Sequence, residues 1–264
     1  MQNRNNSIVK KFLKDGYVII NALNQSDFNE LKKSVVDRIN TKIKKKIFTN
    51  KNINIYHKLI SGDEEHKQVI FNERYVKLNQ KIIKNIKNNK IINSIVKNYW
   101  GHNNLVLKWI GSSLKKSQIK NNFCGFRISR PIKNKKYDTA GPHCDIHVGG
   151  RISFDKKIMI TAWIPLEGFS KIYTLQIYKG SHNQFHPLNK IKKKKNTVSR
   201  IFNNTYLKKF KKNRINLKPG KAIIIHPNLI HGGGENLGKK TRLSVEVRIY
   251  NIKNIIKYPI SLRG

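Results

Sequence analysis

The residues best suited to chemistry lie in the run Gly141-Pro142-His143-Cys144-Asp145-Ile146-His147. On a strand, residues two apart point to one face, so His143 and Asp145 are expected to project side by side. An imidazole and a carboxylate held that way can take two adjacent positions on one metal ion. A second histidine then completes the two-His-one-carboxylate set that leaves positions open on Fe(II). His231, 88 residues further on, is the expected third ligand. Arg242 and Ser244 follow it, and two residues apart on a strand they can hold a carboxylate with a guanidinium fork and a hydroxyl.

A His-x-Asp triplet alone is common and can be no more than a hydrogen-bonded pair. The order of the pieces gives it meaning: the triplet, a distal histidine at a strand end, then Arg-x-Ser. His226 is the rival for the distal position, but it would sit inside the β-branched run from Ile223. His231 precedes three glycines, where backbone can approach a ligand closely. Its offset to Arg242 also suits two neighbouring antiparallel strands joined by a turn at Asn236-Leu237-Gly238. His147 is read as substrate-facing or structural, since three protein ligands leave the needed vacancies. Cys144, between the two first ligands, would face away from the metal. His182 and His186 are read as surface or supporting residues.

The elements that must position these groups can be read in order. Residues 8–16 are expected to form a helix stopped by Gly16, residues 17–20 a strand, and Ser26 to cap a helix carrying Leu31, Val35 and Ile39. A single helix is expected over 79–96. From residue 105 the chain reads as many short strands: 105–110, 123–130, the His143 segment, 158–166, 173–178, 221–226 and 241–250. Helices first and strands afterwards predict a mainly β jelly roll with flanking helices. The expected organisation is a single domain over 1–264. Residues 1–100 would be helical support and 101–255 the jelly-roll core, with a basic insertion at 183–218 that holds Lys192 to Lys195 and is either a lid or a tolerated loop.

Composition sets the remaining bounds. The chain has 264 residues, with 55 Lys+Arg against 14 Asp+Glu and a formal charge of +41. Such a balance attracts anions, nucleic acid among them. The bland explanation is a Lys- and Asn-rich composition, which would not by itself suppress Asp and Glu. Two cysteines make no disulfide framework, no apolar run reaches a membrane span, and no signal-peptide pattern opens the chain. A cytoplasmic setting is expected.

Several of these segments resemble the phytanoyl-CoA dioxygenase (PhyH-like) branch of the Fe(II)/2-oxoglutarate oxygenases. Phe12-Leu13-Lys14-Asp15-Gly16-Tyr17-Val18 followed by a capped helix looks like the family's opening. Trp163-Ile164-Pro165-Leu166 resembles its Trp-x-Pro-Leu strand, Gly180-Ser181-His182 its Gly-Ser-His turn, and Pro219-Gly220 the approach to its distal histidine. Lys221 departs from the pattern, where an acidic residue is usual. The resemblance implies a double-stranded β-helix (jelly-roll, cupin-like) and a hydroxylase using Fe(II), 2-oxoglutarate and O2. It places His143, Asp145 and His231 on the metal, Arg242 with Ser244 on the cosubstrate's distal carboxylate, and Trp163 on the pocket wall. On the substrate side, Arg127, Arg130, Arg151 and His147 are candidates to meet a small anionic or carrier-linked metabolite. The competing class is a basic nucleic-acid-binding or -modifying protein. It is not favoured, because the lysines are dispersed and no zinc-finger, RNP or helix-turn-helix pattern appears. Oligomeric state is not legible.

Overall fold

The computed structural model describes residues 2–70, 74–110, 119–131, 138–139, 141–147, 159–184, 186, 189–190, 198–199 and 202–251. The elements run α1 (Gln2–Asp15), β1 (Tyr17–Asn21), α2 (Gln25–Ile43), α3 (Tyr56–Leu59), α4 (Asp63–Ile70), β2 (Tyr75–Lys77), α5 (Gln80–Lys87) and α6 (Lys90–Trp100). Then come β3 (Leu105–Ile110), β4 (Ile119–Asn121), β5 (Phe123–Ser129), β6 (Met159–Glu167), β7 (Gln176–Lys179), β8 (Asn189–Lys190) and β9 (Val198–Ser199). Short helix α7 (Asn204–Leu207) precedes β10 (Lys211–Asn213), β11 (Lys221–Ile225), β12 (His231–Gly232) and β13 (Arg242–Asn251). Among the described residues no helix is long and apolar enough to cross a membrane.

The strand β13 organises the larger sheet. It pairs antiparallel with β6 along one edge, and along the other with β5 through its first half and β3 through its second. Beyond β6 come β11 and then β1. The smaller sheet is β10-β7-β12. Strict alternation in β13 explains the layering. Leu243, Val245, Val247 and Ile249 point one way into the main apolar cluster, together with Phe12, Leu31, Val35, Ile82 and Val96 of the helices. Arg242, Ser244, Glu246 and Arg248 therefore point the other way, towards the smaller sheet. Strand β11 is apolar on both faces and buried from Ala222 to Ile225, as a strand covered on both sides must be.

Two helix expectations are corrected. Asn24, not Ser26, caps α2: its side chain accepts from the Asp27 N–H at 2.9 Å. The helix expected over 79–96 is two, because Asn89 restarts the chain as a new N-cap, accepting from Ile91 and Ile92. The helical first part of the chain also supplies β1 and β2 to the larger sheet. Lys192 to Lys195 lie outside the described residues.

A buried ionic network ties α4 to the end of β5. The Arg130 side chain, fully buried, donates to both oxygens of Asp138 at 3.0 and 3.1 Å and to Asp63 at 2.9 Å. His66 Nε2 lies 3.1 Å from Asp138 Oδ1. Arg130 is thus saturated by the protein and cannot meet a substrate, which corrects the expectation for it. Burial by itself would raise the Asp138 carboxyl, but hydrogen bonds from His66 and Arg130 outweigh it and hold the group at about 2. A folded-state value below the unfolded one (about 3.9) means this stabilisation is full above pH ~4 and fades as pH falls towards 2. Asp138→Asn is expected to destabilise the fold by about 3 kcal/mol at pH 7. The difference in urea midpoint from wild type should shrink when both are measured near pH 3.

Candidate active site

His143 and His231 are cross-strand partners. They form an isolated antiparallel bridge in which each backbone N–H donates to the other's carbonyl, at 2.8 and 2.9 Å. Their ring centroids are 4.8 Å apart. Asp145 reaches the same point differently from the expectation. The chain is not a strand there; residues Asp145–His147 form a 3-10 turn. The turn still brings Asp145 Oδ1 within 3.8 Å of His143 Nε2, and Oδ2 within 3.8 Å of His231 Nε2. One ligand atom from each of the three lies within 4.8 Å of the others.

The hydrogen bonds around the triad fit a metal. His143 Nδ1 is 2.7 Å from the Gly141 carbonyl, and His231 Nδ1 is 2.9 Å from the Leu229 carbonyl. A carbonyl only accepts, so both rings carry the proton on Nδ1 and present the Nε2 lone pair to the shared space. The Thr161 hydroxyl donates to Asp145 Oδ2 at 2.6 Å and holds the carboxylate in place. Burial first, then the neighbouring His231, pushes the His143 imidazole down to about 4. Burial would raise the Asp145 carboxyl, but His231, Arg248 and His143 bring it below its ordinary value. A neutral His143 imidazole beside an ionised carboxylate is what a divalent ion requires of these two groups. Thr161→Val should weaken metal affinity about tenfold, as loss of such a supporting bond usually does, measured by competition with a chromogenic chelator.

His226 is excluded as a ligand by its own bonds. Its Nδ1 accepts from the Asn228 N–H at 3.1 Å, and its Nε2 is 2.8 Å from the Tyr99 hydroxyl. It follows β11 and packs against Phe12, Tyr99 and His182 in an aromatic cluster. His182 and His186 are buried, not at the surface. Cys144 turns away from the triad, its thiol 3.3 Å from the Asn228 carbonyl. Neither cysteine is in a disulfide.

A cavity runs from His143 and His231 to Arg242. Trp163, Ser244, Arg127 and Glu246 line it too. Arg242 is almost fully buried, and burial pushes its guanidinium down to about 9. It donates to the Tyr173 and Gly234 carbonyls at 2.8 and 3.2 Å, yet its Nε has no hydrogen-bond partner and, among the described residues, it makes no ion pair. The Arg242 guanidinium thus keeps an open position for a hydrogen-bond acceptor.

Two geometric arguments from the sequence are corrected. His231 and Arg242 are not on neighbouring strands: β12 pairs with β7, and β13 lies in the other sheet. They meet across the gap between sheets. The glycines after His231 make room for protein rather than ligand; a Cβ on Gly232 would sit 2.9 Å from Gly141 backbone, and one on Gly233 3.1 Å from Arg242 Nη2. The side chain of His147 and all of Arg151 lie outside the described residues. Thr161, Glu246 and Arg248 went unnoticed in the sequence, although the polar alternation of β13 was there to be read.

The phytanoyl-CoA dioxygenase (PhyH) family matches residues 12–244. No curated protein matches the sequence. Solved structures share the fold at low identity. The epimerase SnoN, in complex with Fe3+, alpha ketoglutarate and nogalamycin RO, aligns at a TM-score of 0.54 with 14% identity over 95% of this chain and 85% of its own. The hydroxyectoine- and 2-oxoglutarate-bound EctD from S. alaskensis aligns at 0.53 with 13% identity, over 93% and 76%. The carbocyclase SnoK from nogalamycin biosynthesis aligns at 0.52 with 11% identity, over 93% and 83%. With the motif order, the jelly-roll layers and the His-Asp-His cluster all in agreement, the chain belongs to the phytanoyl-CoA dioxygenase family of iron- and 2-oxoglutarate-dependent oxygenases.

Proposed function

We propose that the chain hydroxylates a small anionic metabolite, with His143, Asp145 and His231 holding Fe(II) and Arg242 holding the distal carboxylate of 2-oxoglutarate. The observation that carries this reading is the incomplete guanidinium of Arg242 in the cavity that also holds the triad. When bound, the iron would supply the oxidative chemistry that divides O2 between two products, one oxygen atom entering succinate as 2-oxoglutarate loses CO2 and the other entering a substrate C–H bond.

The protein's own part is placement. Arg242 supplies a charge-assisted bond in a site shielded from water, where such bonds are strongest. Ser244, two residues on along the inner face of β13, adds a hydroxyl. Trp163, about 1% exposed, walls the cavity with an apolar surface that keeps bulk water off the cosubstrate. Asp145 is a carboxylate rather than a small residue, so no ligand position is vacated for chloride and hydroxylation is the expected outcome. Dispersed lysines along α1, α2, α5 and α6 favour a small substrate over nucleic acid.

Anaerobic addition of Fe(II) and 2-oxoglutarate should give the weak visible band of the cosubstrate chelated to iron, and air should then release succinate. No band in wild type would remove the cosubstrate assignment. Incorporation of label from 18O2 into product distinguishes hydroxylation from desaturation or epimerisation.

A further inference from the structure

Beyond the His-Asp-His cluster and Arg242, Arg127 and Glu246 line the cavity, and Arg248 stands next to Asp145. Arg127 on β5 is the cross-strand partner of Ser244 and donates Nε to Glu246 Oε1 at 2.9 Å. Among the described residues its terminal amines have no protein partner. Arg248, two positions beyond Glu246 on the same face of β13, has Nη2 3.8 Å from Asp145 Oδ1. Its Nη1 is buried without a hydrogen bond. Arg127 and Arg248 thus flank Glu246 on one face of the sheet, the first bonded to Glu246 and the second beside Asp145. Like charges gathered out of water are costly unless an anion completes them.

We propose that Arg127 and Arg248 form the anion site for the substrate, taking a carboxylate or phosphate group beside the Asp145 edge of the triad. Glu246 is the internal carboxylate that holds the guanidiniums together and competes with the incoming anion. The site rests on the oxygenase reading only in assigning that anion to the substrate. Its position carries a consequence for substrate class. Arg248 is within 4 Å of a metal-ligand oxygen, so the oxidised carbon lies a few bonds from the anionic group. That describes a small acid or phosphate ester, not an acyl chain whose charges sit on a distant carrier.

The test uses the full chain with Fe(II) and saturating 2-oxoglutarate under anaerobic conditions. Thermal midpoints are recorded against sodium phosphate, and separately sodium acetate, with chloride adjusted to constant ionic strength. Wild type should show a saturable rise. Arg248→Gln and Arg127→Gln should raise the half-saturating concentration about tenfold or more, the usual cost of one charge-assisted bond. Glu246→Gln should lower it by a similar factor, a gain of binding that misfolding cannot imitate. A surface control, Lys33→Gln/Lys81→Gln, should leave it unchanged. The proposal is overturned if wild type shows no saturable rise, if the three cavity variants keep the wild-type midpoint, or if phosphate displaces 2-oxoglutarate. The shift caused by 2-oxoglutarate alone is read in the same plates. Its absence would sink the oxygenase reading and leave the phosphate result standing by itself.

Discussion

His231→Ala is expected to abolish tight Fe(II) binding and to lower succinate production by at least about a thousandfold, while His226→Ala keeps the metal. The contrast follows from which nitrogens are free. His231 has a carbonyl on Nδ1 and an open Nε2 facing Asp145, so its removal takes one of three protein donors from an ion that keeps its other positions for reactants. His226 has both nitrogens engaged, by Asn228 and Tyr99. Its loss should cost about 2–4 kcal/mol of folding stability, as deletion of a buried ring does, without touching metal stoichiometry. Equilibrium dialysis against Fe(II) or Mn(II), with urea unfolding of the same samples, separates the two effects. Metal lost in His226→Ala and kept in His231→Ala would overturn the ligand assignment.

Arg242→Gln should raise the half-saturating concentration of 2-oxoglutarate about a hundredfold and leave metal affinity close to wild type. The estimate takes the lost charge-assisted pairing in a dry site as about 2–4 kcal/mol. Stability of the protein without cosubstrate should move the other way. The guanidinium is buried, lacks a partner on Nε, and is pushed down by burial, so a neutral amide of smaller size should hold the unfolding free energy or raise it by about 1 kcal/mol, read from urea unfolding. Arg242→Lys should fall between, because an ammonium offers a point charge without the planar fork. Equal 2-oxoglutarate dependence in all three proteins would place the carboxylate elsewhere.

The residues of the site were more legible than the reasons for their geometry. His143, Asp145, His231 and Arg242 could be picked out by type and order, yet two of the arguments used to position them fail. The His143 segment is a bridge followed by a 3-10 turn rather than a strand, and β12 and β13 belong to different sheets. Both failures have one cause: period-two reasoning describes a strand once its existence is granted, but whether a short segment pairs at all depends on partners far away in sequence. Strand β11 was legible from its isoleucine run, β13 from its apolar-polar alternation and β6 from its apolar and aromatic residues. Arg130 shows the opposite limit. Its proximity in sequence to Arg127 suggested a shared role, but it is consumed by Asp138 and Asp63, the latter 67 residues earlier. The break at Asn89 was missed because isoleucines continue on both sides of it, and the six-residue step from Ile86 to Ile92, which is off the helical spacing, was passed over.

The reciprocal backbone bonds between His143 and His231 make the metal centre a register gauge for the whole β core. A slip of one residue in that bridge would turn one imidazole out of the site, because neighbouring side chains on extended chain face opposite ways. The ligand set therefore exists only after chain segments far apart in sequence, with β6, β7 and β11 between them, have found their final alignment. Metal affinity gained at that moment deepens the correct alignment and none of its near neighbours. Iron here would thus act on folding as well as on oxygen, selecting one pairing from a set of close competitors.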